Sequence, residues 1–250
     1  MAIDKIYKNP TVKQVIFQIQ FPNLFYLESK ISDIQLDIIS RFPESALLVR
    51  SPIAIAIGGN NIPQQELENN VIAQKTWEFK NKDGYELSIT SNCLTIVSKL
   101  HKTYSNEGSE HRFREIIEYI LGVFGKHVKL PAINRVGLRY TDVCPLPEKT
   151  TAKYAEYFNS ALSFNNNSIE CINEMHIYIV KDIEDCKIIY QEKYMPQIYP
   201  DEVILDFDGF KQDVVFDNCM AVVDKLHLII SDEYEKSIKE PIYRFMEGEL

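Results

Sequence analysis

At 250 residues the chain is long enough to bury a sizeable core, either as one large domain or as two coupled halves. It is 45% hydrophobic and 25% charged, with a net charge of −9, and this acidic balance argues against a generic DNA-coating role, because non-specific nucleic-acid affinity comes from Lys and Arg on phosphates. Five cysteines (Cys93, Cys144, Cys171, Cys186, Cys219) form no C-x-x-C pair and five scattered histidines form no H-E-x-x-H pair, so reduced thiols, a cytoplasmic location, no metal site and no cofactor are expected.

The opening MAIDKIYKNPTVKQ has no basic-then-apolar leader, and no run approaches the roughly 18 apolar residues of a membrane span. No signal peptide and no membrane association are expected. Residues 12–21 alternate, with Val15, Phe17, Ile19 and Phe21 on one face and Gln14, Gln18 and Gln20 on the other, a half-buried strand. Leu27, Ile31, Ile34, Ile38 and Phe42 then recur at helical spacing over 24–41, and Pro43 closes that element. A β-rich apolar stretch over 47–57 leads to GGNNIPQQELENN (58–70), a polar segment with the composition of an exposed loop. Three strands follow in meander spacing, 71–80, 85–90 and 93–99, the first two joined by an Asp-Gly turn. The spacing of Phe113, Ile116, Ile117, Ile120, Leu121 and Phe124 predicts a helix over 109–126 with these residues as its buried face.

The order then restarts. A strand over 132–143 precedes a helix over 151–164, strands near 172–180, 186–195 and 202–207, and a last long helix over 214–237. Strand, helix, meander and long helix recur, so an α+β fold is expected, with pseudo-duplicated halves at 1–130 and 131–250. The halves would form one or two curved antiparallel sheets with long helices packed on one side.

The stretch Ala-Ile-Asn-Arg-Val-Gly-Leu-Arg-Tyr-Thr-Asp (132–142) organises the second half. Val136, Leu138 and Tyr140 point one way, and Arg135, Gly137 and Arg139 the other. Two arginines on one strand face call for negative partners, and Asp206 and Asp208, sharing a face of a later strand, are the candidates. This set is either a structural ion cluster holding the halves in register or an open site. In the open reading the arginines take an anionic ligand and the aspartates a divalent metal. Trp77 shares a face with Phe79 and reads as a core anchor before a stacking platform. His227 follows Asp224 by three helical residues, a base and its orienter or a structural histidine. The basic segment His111–Arg114 reads as the solvated start of a helix. No phosphate loop or nucleophile elbow is present, and no catalytic residue is assigned. Gln18 and Gln20 stand where a polyphosphate-processing tunnel enzyme would carry Glu-x-Glu-x-Lys.

The order of these motifs resembles a sporadically distributed, uncharacterised family of prokaryotic proteins. The carrying residues are the opening Asn9-Pro10-Thr11-Val12-Lys13-Gln14-Val15-Ile16-Phe17, the strand Trp77-Glu78-Phe79, the R-x-G-L-R-Y strand Arg135 to Tyr140, the L-D-x-D strand Leu205 to Asp208 and the closing Leu226-His227. The chain departs from the family at Gln18 and Gln20, where an acidic and a basic residue are expected. The resemblance implies genes of patchy distribution, as on mobile elements or in defence and toxin–antitoxin neighbourhoods. Taken together, the expectation is a non-catalytic binding or regulatory module with a protein partner, itself compatible with a homo-oligomer. The rival is a metal-dependent enzyme on a phosphate-containing substrate, using Asp206 and Asp208 with Arg135 and Arg139. A weaker third is a small-ligand sensor with a pocket between the halves.

Overall fold

The computed structural model describes residues 5–50, 74–130, 132–162, 167–198 and 200–249. The expected loop at 58–70, with 51–57 and 71–73 of the expected strands, lies outside them. The described residues form an α+β fold around a single nine-stranded antiparallel sheet that does not close into a barrel. Its strands are β1 (Val12–Gln20), β2 (Glu44–Arg50), β3 (Gln74–Lys80), β4 (Tyr85–Thr90), β5 (Cys93–Ser98), β6 (Ile133–Pro145), β7 (Met175–Ile183), β8 (Cys186–Tyr194) and β9 (Glu202–Val214), in the order β2-β3-β4-β5-β1-β6-β9-β8-β7. Among the described residues five α-helices accompany it: α1 (Ile31–Ile38), α2 (Phe113–His127), α3 (Thr151–Tyr157), α4 (Cys219–Ser237) and α5 (Glu240–Glu247). No described helix is long and apolar enough to cross a membrane.

The alternation in β1 decides which way the sheet faces. Val15, Phe17 and Ile19 are fully buried, and the register sets them opposite Tyr140, Leu138 and Val136 of β6. Each such apolar side chain contributes about 1.5–3 kcal/mol on burial, so a one-residue slip that exposed them all is strongly disfavoured. The same face of β9 meets α4. At Gly209 an added Cβ would lie 2.9 Å from Ile188, 3.0 Å from Ile230 and 3.2 Å from Leu226, so glycine lets helix and sheet approach.

Several elements differ from expectation, each for a tertiary reason. The helix expected over 109–126 begins at Phe113. Arg112 is extended (φ −98°, ψ 121°) and bridges Thr103, and the N–H groups of Phe113 and Arg114 donate to Thr103 and Tyr104 carbonyls at 3.2 and 2.9 Å. The helix expected over 151–164 ends at Tyr157, because Phe158 turns extended and bridges Ile238. The one expected over 24–41 is a 3₁₀ turn, Leu27–Lys30, followed by α1, although Leu27, Ile31, Ile34, Ile38 and Phe42 are all buried as anticipated. The strand expected over 202–207 continues through Gly209 to Val214, so α4 starts at Cys219 rather than 214. The short α5 was not anticipated. Proline in its first turn and Gly248 in the left-handed region (φ 77°) just past its end are the signals that mark it.

Candidate functional site

Strand β6 lies at the middle of the sheet, between β1 and β9, and its two faces carry two different arrangements. On the face away from α4, Arg139 donates from Nε and Nη2 to the two oxygens of Asp206 at 2.7 and 2.6 Å. Lys193 adds a second cation to Asp206 at 3.3 Å, and Gln191 lies at 3.5 Å. Arg135 donates from Nη2 to both oxygens of Asp208 at 2.7 and 2.9 Å, and its guanidinium lies 4.5 Å over the Phe210 ring.

These pairs run diagonally to the ladder. Arg139 is opposite Asp208 and Arg135 opposite Gln212, yet each reaches further along β9. Gly137 makes the reach of Arg135 feasible, since a Cβ there would lie 2.3 Å from Arg135 Nη1. The guanidinium lies in the space that glycine leaves, which is the physical content of the Arg-x-Gly spacing. Beyond it the network fades into amides. Gln18 accepts from Gln20 at 2.7 Å, donates to Thr95 at 3.2 Å and stands 3.5 Å from Arg135.

The cluster is partly sealed. The Asp206 side chain is 2% exposed and Arg139 40%. Hydrogen bonding to Asp206 raises the Arg139 pKa, while burial raises that of Asp208 against the opposing pull of Arg135. Strands β6 and β9 both belong to residues 131–250, so the four charges tie strands within the second half. The expectation that they join residues 1–130 to residues 131–250 is corrected: the ladder pairing between those two stretches is β1 with β6.

On the opposite face, toward α4, a cavity of about 80 Å³ opens beside the end of β6. Thr11, His101, Thr103, Asp142, His227 and Ser231 are buried polar side chains on its wall, and the rings of Tyr7, Tyr104, Tyr140 and Tyr234 complete much of the rest. The Tyr140 hydroxyl is 3.0 Å from His227 Nδ1. Tyr104 stacks on His227 with ring centroids 4.0 Å apart and donates its hydroxyl to Asp224 at 2.6 Å. Asp224 also accepts two bonds from the Arg114 guanidinium, both 2.9 Å. Asp142 accepts from Thr11 Oγ1 at 2.8 Å. That hydroxyl has one hydrogen, so with Asp142 ionised it must accept from Tyr234, 2.6 Å away. Burial pushes the Asp142 carboxyl up to about 7, with Thr11 and Lys13 opposing and Asp206 reinforcing.

The structure thus brings Arg135, Arg139, Asp206 and Asp208 together on one face, and Tyr140 and His227 on the other. Trp77 joins neither. It is half-buried on β3, with three strands between it and β6, where it packs against the core and lines a shallow hollow with Leu24, Phe25 and Asn92. The Asp224–His227 link runs through Tyr104, which sequence spacing had no means to supply. The basic segment is also paired internally, Arg112 with Glu115 and Arg114 with Asp224. Asp142, Thr11, Tyr104 and Tyr234 are the residues missed. For Asp142 a signal existed: the alternation of Val136, Leu138 and Tyr140 places an acid next on the buried face.

Neither protein-family models nor curated proteins match this chain. The resemblance drawn above therefore rests on its motifs alone.

Proposed function

We propose that the protein is a non-catalytic binding or regulatory module acting with a protein partner, and that the sheet face bearing Arg135, Arg139, Asp206 and Asp208 is the surface it offers. One observation carries this reading: both oxygens of Asp206 and both oxygens of Asp208 already accept from guanidinium N–H groups, and Asp206 from the Lys193 ammonium as well. A metal-dependent enzyme built on these carboxylates needs oxygen lone pairs turned to an open position. Among the described residues no group of three His, Cys, Asp or Glu stands close enough to hold a metal.

The same face carries Tyr178 (58% exposed) and Val180 on edge strand β7, in register with Gln191 and Ile189 of β8. An aromatic and aliphatic pair beside polar groups has the composition of an interface core with its rim. We also read the sheet as two halves of like build, residues 1–130 and 131–250, with their helices on a single face. The strand order supports this reading, since each half returns its last strand to pair with its first, β5 with β1 and β9 with β6. A role near mobile elements or toxin–antitoxin genes follows from the resemblance only.

The test is co-expression with the product of a neighbouring gene and measurement of the affinity of any complex. Replacing Tyr178 and Val180 together by arginine is expected to weaken the complex at least about tenfold, as loss of central interface residues does. Mg²⁺- or Mn²⁺-dependent hydrolysis of a nucleotide or nucleic acid, abolished by Asp206→Asn in a folded protein, would overturn the proposal.

A further inference from the structure

Two buried carboxylates on the α4 side of the sheet differ in how they are satisfied. Glu192, fully buried on β8, is held by the hydroxyls of Tyr154, Ser160 and Tyr190. Asp142, 5% exposed, has the Thr11 hydroxyl and otherwise faces the cavity. An ionised carboxylate has about four acceptor positions and is costly to bury without donors. Among the described residues, six of the ten buried polar side chains converge on this one cavity, with Thr11 already bonded to Asp142 and His227 to Tyr140.

We infer that this cavity binds the head group of a small primary amine, with Asp142 as its counter-ion and the tyrosine rings as its walls. The chemistry converges on a cation with N–H donors. The carboxylate supplies charge, Ser231 and the tyrosine hydroxyls supply further oxygens, and Tyr7, Tyr104, Tyr140 and Tyr234 make the wall rich in aromatic rings, a side-chain type that attracts a positive group. The size is right for a few heavy atoms, since a cavity of roughly 150 Å³ holds benzene. Lys5 at the rim is neutralised by Glu247, and the net charge of −9 favours approach of cations. Exposed residues at the rim, Lys5 and Lys102, open the cavity to solvent.

Affinity then follows ionisation of Asp142. The groups around it are Lys5, Tyr7, Lys13 and Thr11 from the N-terminal segment and β1, His101 and Lys102 from the loop after β5, and Cys144 on its own strand. Asp206 acts from β9, and His227 and Tyr234 from α4. The cavity wall shares no residue with the proposed partner face, so failure of either reading leaves the other standing.

The experiment is calorimetric titration of the full chain with n-butylammonium, n-butanol and n-butyrate, which are matched in length and differ in charge. At about pH 8 n-butylammonium is expected to bind saturably and the other two more weakly. At about pH 6 its affinity should fall roughly tenfold as Asp142 takes up a proton. Asp142→Asn, which keeps the acceptor for Thr11, should weaken binding at least about tenfold. Ser231→Leu fills the cavity while leaving the carboxylate, should abolish binding, and serves if the first variant folds poorly. Absence of saturable n-butylammonium binding at about pH 8, equal or tighter binding of butanol or butyrate, or binding undiminished by a folded variant would overturn the inference.

Discussion

The two faces of β6 show how differently one strand can treat its charges. On the face away from α4, each guanidinium meets a carboxylate within 2.6–2.9 Å, and Gly137 is kept bare so that Arg135 can lie flat. Toward α4, Asp142 has a single hydroxyl donor and a cavity beside it. Matched charges hold strands in place, and removing one partner exposes the desolvation cost of the other. A carboxylate left under-bonded next to open space has capacity for a ligand or a proton. The contrast separates the part of β6 that builds the sheet from the part able to respond.

The sharpest way to break this comparison is to vary pH. Because burial holds the Asp142 pKa near 7 in the folded protein, against an ordinary value of 3.8, the native state keeps a proton that the unfolded chain has released between these limits. Stability should therefore fall as pH rises from about 4 to about 7 and level off above, by an amount on the order of 4 kcal/mol at most. Urea titrations of the wild type and Asp142→Asn across this range should diverge in that direction, and parallel curves would erase the difference between the faces.

On the matched face, Asp206→Ala strands Arg139 and Lys193. A loss of about 3 kcal/mol is expected in urea unfolding, the lower end for a buried pair because Arg139 is 40% exposed. A change below about 0.5 kcal/mol would show that the cluster holds nothing. Gly137→Ala drives a methyl into the seat of Arg135 and should cost about 2 kcal/mol. Combining it with Arg135→Ala should recover much of that loss, because the clash then has no target. Smallest of all, Tyr178→Arg on the exposed edge should change stability by less than about 0.5 kcal/mol while acting on partner affinity.

Much of the arrangement on the matched face is visible in the sequence, because period-2 alternation is local. It places Arg135, Gly137 and Arg139 on one side and Asp206 and Asp208 on one side, and the structure brings the two sets together. The diagonal choice of partner is not local, since it depends on side-chain reach and on the space above Gly137. The cavity is harder still. Its wall draws on β1, the loop after β5, β6, α4 and α5, and Tyr104 enters only because Arg112 abandons the expected helix to bridge Thr103. Gly209 is equally non-local: its role in close helix–sheet packing depends on Ile188, Leu226 and Ile230.

The most direct test is a carbon-13 NMR titration of the Asp142 side-chain carboxyl, assigned by comparison with Asp142→Asn. An inflection near pH 7 is predicted, from a buried carboxylate with one donor beside a cavity. An inflection in the ordinary carboxylate range, near 3.8, would show Asp142 to be as well satisfied as the paired acids across the strand.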